Sequence, residues 1–211
     1  MSYESKPLSE IKEELGRRGP SALCGDAAAL AVSLALYLAG EGGRPKLTVL
    51  KFGEAADKER DEPEARSGVL AARLAELAEA DREAEDNIRA ALRKPPLAPA
   101  GAEKRNEALE EAYWAAGSVT LNLMRSVSEA AALISKAVNT ASALERASAA
   151  SSLALCLGAL RALEIEALAR ASYLGETRRN SLRRSASLLR EDCERSALEA
   201  LEELRGGFLQ P

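Results

Sequence analysis

At 211 residues, 46% of them hydrophobic, the chain is long enough to build a core as one domain or a small pair. Charged residues make up 29% and sum to a net charge of −4, while aromatic residues reach only 3%, so neither the positive field nor the stacking positions of a nucleic-acid binder are present. There is no histidine, which removes Ser-His and Cys-His nucleophiles, HExxH zinc sites and histidine general bases, leaving carboxylates, Lys, Tyr, Ser, Cys, backbone dipoles or a bound cofactor to do any chemistry.

In chain order, MSYESKPLSEIKEELG carries acids and lacks an apolar run, so no signal peptide is expected; Pro7 or Ser9 starts a short helix that ends near Gly16. The next stretch, RGPSALCGDAAALA from Arg18 to Ala31, runs from a Gly-Pro turn into a helix of small apolar residues over about 25–40. Its start at Gly25-Asp26 reads either as a cap, with Asp26 accepting from the first free amides, or as a seat for an anion or polarised carbonyl on those amides. Residues 27–40 lack charge, but the run is shorter than the ~20 residues that span a bilayer, so a buried helix and no membrane are expected.

GEGGRP breaks the chain at Gly40 to Pro45. Leu47-Thr48-Val49-Leu50 is β-branched enough for a strand but finds no partner elsewhere, and 46–63 is read as a helical turn and a surface loop. Long helices follow over 64–93, 104–138, 142–173 and 177–204, with a loop at 98–104 and stops at Asn139-Thr140, Gly175 and Gly206-Gly207. The expected fold is all-α: one domain over 1–211, a bundle of five long helices plus a short N-terminal helix. Cys24, Cys156 and Cys193 are odd in number and widely spaced, so neither a disulfide framework nor a zinc cluster is expected, and a reducing cytoplasm fits.

The apolar stripes carry the functional signal. The last helix has Leu182, Ala186, Leu189, Cys193, Ala197 and Leu201 on one face, which makes Cys193 a core residue. The helix before it has a seam of small residues, Leu144, Ser148, Ser151, Leu155, Gly158, Ala162, Ile165 and Ala169, suited to close packing within a bundle or between subunits. In the 64–93 helix the stripe reads Leu70, Leu74, Leu77, Asp81, Ala84, Ile88 and Ala91, so Asp81 occupies a place that the pattern reserves for an apolar side chain. Unpaired, such a carboxyl is pushed toward its neutral form and suits a proton donor; otherwise it caps a neighbouring helix or pairs with an arginine such as Arg161. Glu79 and Glu83 project away from the stripe. Arg178, Arg179, Arg183 and Arg184 crowd a helix start, where the macrodipole disfavours cations, and either pair with acids of a neighbour or gather an anionic ligand such as a carboxylate tail.

These residues resemble the cyclodeaminase and cyclohydrolase family of folate enzymes, formiminotetrahydrofolate cyclodeaminase and methenyltetrahydrofolate cyclohydrolase. That family opens with a short helix, a Pro-x-Pro-Gly-Gly-Gly-Ser loop and an alanine-rich helix; here GPSALCGDAAALAVSLALYLA takes that place, with Gly25 and Asp26 on the last glycine and the serine and Leu23-Cys24 on two of the glycines. Its Asp-Ala-Asp-x-x-Ala motif matches Glu79-Ala80-Asp81-Arg82-Glu83-Ala84, and its Asn near a helix break matches Asn139. Its Ser-Asp after that break has no counterpart in ASALERAS, and its Asn-x-x-x-Asn falls on Glu166 and Arg170. The resemblance implies a homodimeric cytoplasmic enzyme that closes a formimino-folate with loss of ammonia or hydrolyses a methenyl bridge. It also implies a tetrahydrofolate derivative as substrate, no metal, Asp81 or Glu79 as proton shuttle, and Gly25, Asp26 and Asn139 at the ligand. The four arginines are then placed to attract the folate glutamate tail. The alternative is a protein of the same fold that has lost catalysis and serves as a binding or scaffold partner.

Overall fold

The computed structural model describes residues 31–32, 54–93, 99–138 and 143–208. Four long helices fill these ranges, α1 (Glu54–Arg93), α2 (Pro99–Val138), α3 (Ala143–Ala171) and α4 (Glu176–Phe208), and no strand occurs among the described residues. Of the expected 25–40 helix only 31–32 are described; both are helical, and Val32 is fully buried. The short first helix lies outside the described residues.

Three boundaries differ from the sequence reading. α1 begins ten residues earlier than the expected 64, because Glu54 to Glu62 is almost wholly Ala, Glu, Asp, Lys and Arg, whose propensity carries the helix through Pro63 at the loss of one backbone donor. Of the loop expected at 98–104, residues 99–104 are instead the first turns of α2: Pro99 stands at its first position, where the missing N–H costs nothing and the fixed φ already suits a helix. α4 runs through Gly206-Gly207 to Phe208, so these glycines do not stop it.

α2 packs against α1, α3 and α4, and α3 also against α4. Ion pairs give the directions. Arg161–Glu194 and Arg190–Glu164 pair α3 with α4 in antiparallel order, and Arg73–Glu129 together with Arg105 donating to the Leu92 carbonyl does the same for α1 and α2. Leu74, Leu123, Met124, Ile134, Leu153, Leu160, Leu163, Leu174 and Leu182 form the centre of the core. The α4 stripe is confirmed, with Leu182, Ala186, Cys193 and Ala197 buried. Of the two uses expected for the α3 seam, packing within the bundle is corrected: Ser151, Gly158, Ile165 and Ala169 are exposed, and the buried row lies beside it, through Ser152, Cys156, Leu160, Leu163, Ala167 and Arg170. α3 is apolar on both rows, so its stripe alone did not single out the inner one.

Where α2 and α4 meet, Gly117 leaves room for Leu182: a Cβ on Gly117 would stand 2.6 Å from Leu182 Cδ2. Gly117→Val is therefore expected to cost about 1–3 kcal/mol through overpacking, read as a lowered urea midpoint; an unchanged midpoint would mean that Leu182 repacks freely.

Candidate functional site

Asp81 lies on the inner face of α1, 2% exposed, where the broken stripe placed it. Its partner is Arg170 of α3, 3% exposed, whose Nη1 donates to Asp81 Oδ1 at 2.8 Å, to the Ala116 carbonyl at 2.8 Å and to Thr120 Oγ1 at 2.6 Å, the last two on α2. Thr120 passes the chain on by donating to the same Ala116 carbonyl. The other nitrogen, Nη2, meets two more carboxylates: Glu85 of α1 at 3.0 Å and Glu166, one turn earlier on α3, at 2.6 Å. One guanidinium thus holds three acids, Asp81 and Glu85 buried and Glu166 mostly so, and joins three helices, using the fork geometry that only arginine offers.

Burial opposes the charge on Arg170, but the carboxylates of Glu166, Asp81 and Glu85 outweigh it and hold the guanidinium above its usual range. Asp81 is therefore not the lone buried acid of the sequence reading. Its carboxylate is paired, though with Arg170 rather than Arg161, which bonds Glu194 on the opposite side of α3.

Beside this network stands Tyr113, half-buried against Ala84, Ile88 and Ala116. Its ring stacks on Tyr173 with centroids 4.2 Å apart and planes within 4°, and Tyr173 is 59% exposed. Burial raises the Tyr113 phenol above its ordinary value, as do Tyr173 and the charge of Glu85, against a smaller opposing effect of Arg170. Both described cysteines lie in the core, and burial, with Cys193 nearby, pushes the Cys156 thiol up to about 12, which leaves it unreactive.

The other predicted site residues are dispersed. Glu79 is about half exposed and pairs with Arg82 at 2.5 Å, one turn along the outer face of α1. Arg178 bonds Glu111 at 2.7 Å and lies 5.5 Å over the Trp114 ring; Arg179 folds back to donate to the Leu174 carbonyl. Arg183 and Arg184 are exposed. Gly25, Asp26 and Asn139 lie outside the described residues.

Glu85 and Thr120 were missed by sequence reasoning, and Glu166 and Arg170 were seen only as the place of a family motif. Two signals pointed to the charged ones: Glu85 follows Asp81 by four residues on the same face, and Glu166 and Arg170 are an acid–base pair four residues apart on α3. Among the described residues no group of three or more His, Cys, Asp or Glu is arranged to hold a metal ion, and no helix is long and apolar enough to cross a membrane.

The sequence profile of the formiminotransferase-cyclodeaminase family matches residues 7–168. The chain belongs to this family. The matched stretch contains Asp81, Glu85, Thr120 and Glu166 and ends two residues before Arg170. Among solved structures, a formiminotetrahydrofolate cyclodeaminase from Thermotoga maritima is similar in fold, with a TM-score of 0.76 over 97% of this chain and 96% of that one at 17% identity. No curated protein matches. In this member of the formiminotransferase-cyclodeaminase family, the buried network is a polar centre shared by α1, α2 and α3.

Proposed function

We propose that this chain is a folate one-carbon enzyme that cyclises 5-formiminotetrahydrofolate with release of ammonia or hydrolyses 5,10-methenyltetrahydrofolate, working as a cytoplasmic homodimer without a metal. Family membership supports the substrate class. The observation that carries the reading is Asp81, a carboxyl held in a dry polar network by a long helix of that family's fold. Either reaction needs a group that trades a proton at the one-carbon centre, and Asp81 is our choice over Glu79, whose carboxylate stands on the outer face. Helix amides at Gly25 and Asp26 would steady the tetrahedral intermediate, with Asn139 beside the ligand. The exposed Arg183 and Arg184 suit the anionic tail better than Arg178 and Arg179, which are engaged within the fold.

A second reading, a family member that has kept the fold as a binding or scaffold protein, is favoured by one observation: Arg170 already occupies the carboxylate of Asp81. Supplying each folate separately and following its absorbance decides between them. The enzyme reading expects turnover of one, reduced about 10²–10⁴-fold in Asp81→Asn and nearly unchanged in Glu79→Gln. Absence of turnover with both, together with no folate binding by titration, would sink it in favour of the scaffold.

A further inference from the structure

We propose that the open face of Tyr173 is a binding platform for a planar heteroaromatic ring, and that the ring it takes is a pterin; the choice of ring rests on the folate reading. In a chain only 3% aromatic, all three aromatic side chains among the described residues, Tyr113, Trp114 and Tyr173, gather at one corner of the bundle, where α2 meets the turn between α3 and α4. Tyr173 stacks one face on Tyr113, whose ring lies parallel at 4.2 Å, and makes no second ring contact among the described residues. It is still 59% exposed, so its other face meets water. A ring left in water in this way gains from a flat partner, because stacking removes apolar surface from solvent on both sides.

The platform is fixed before any ligand arrives. The amides of Ser172, Tyr173 and Leu174 donate to the carbonyls of Ala169, Arg170 and Ala171, and the Leu174 side chain is buried. Glu110 accepts from the Gly175 amide at 3.2 Å, and Arg179 donates to the Leu174 carbonyl at 2.8 Å. A ring carried on a turn tied from both sides loses little freedom on binding. Its surroundings suit a ligand with a reacting centre and an anionic tail. Tyr113 packs on Ala84, Ile88 and Ala116, and the Ala116 carbonyl accepts from Arg170, so one layer of side chains separates the platform from the network that holds Asp81. On the other side Arg178 lies 5.5 Å over Trp114, and the exposed Arg183 stands about 10 Å along α4 from its first residue, Glu176.

The test is titration of the whole protein with pterin, followed by the fluorescence of Trp114, the single tryptophan of the chain. Wild type is expected to bind saturably and to lose emission. Tyr173→Ala should weaken binding about 10-fold, and Tyr173→Phe, which keeps the ring face, should leave it unchanged. Should Tyr173→Ala fail to fold, wild type alone still decides, since bound pterin must shift the NMR signals of the Tyr173 ring protons. Absence of saturable binding overturns the proposal, as does binding that is equal in Tyr173→Ala or that leaves the Tyr173 ring unshifted. Folate turnover is read separately: turnover without Tyr173-dependent pterin binding removes this proposal alone, and Tyr173-dependent pterin binding without turnover removes the enzyme reading alone.

Discussion

Arg170→Met is expected to destabilise the fold by about 3–5 kcal/mol, the largest effect of any single substitution at the network. Methionine roughly fills the volume of the arginine stem, so packing is largely kept and the loss is electrostatic. Asp81, Glu85 and Glu166 lose their shared cation, and Thr120 and the Ala116 carbonyl lose a donor, all in a region closed to water. Urea denaturation of wild type and variant at neutral pH gives the difference directly. Lowering the pH should narrow the gap, because protonation removes the charges that the variant leaves unbalanced. Arg170→Lys should recover only part of the loss, since one ammonium cannot make the forked set of contacts on both Nη1 and Nη2. A loss below about 1 kcal/mol for Arg170→Met would show that water reaches the acids and that the network is not dry.

Leu163→Ala, an apolar position on the same inner row of α3, is expected to cost about 2–5 kcal/mol. Leu163 is fully buried in the main core, so truncation removes its transfer free energy and opens a cavity that helices on several sides would have to shift to fill. Its signature differs from that of Arg170→Met: the loss should be the same across the pH range in which the arginine variant changes. If both variants respond to pH alike, the effect at residue 170 is not one of charge.

Much of this was legible in the chain. The periodic Leu and Ala of α1 and α4 set the faces of both stripes, and the break at Asp81 marks the place of the polar centre. The boundary at Gly175 was legible from its glycine, whereas Pro99 opens α2 instead of belonging to a loop, and Pro63 and Gly206-Gly207 lie inside the helices they were expected to bound. The partner of Asp81 could not be read because it lies 89 residues away on a helix that is apolar on more than one row; periodicity fixes which residues share a face, not which faces meet. The arginines at the head of α4 looked like a ligand cradle because cations are disfavoured there, yet Glu111 and the Leu174 carbonyl satisfy two of them within the fold.

Arg170 Nη1 touches α1 and α2 at once while its own backbone belongs to α3. No one of these helices can peel away without leaving polar groups of the network unpaired in the interior, so their inner turns share a single opening event and their amides exchange with solvent together, as one cooperative unit. α4 clasps that unit through apolar side chains and surface ion pairs, and is the element able to loosen first.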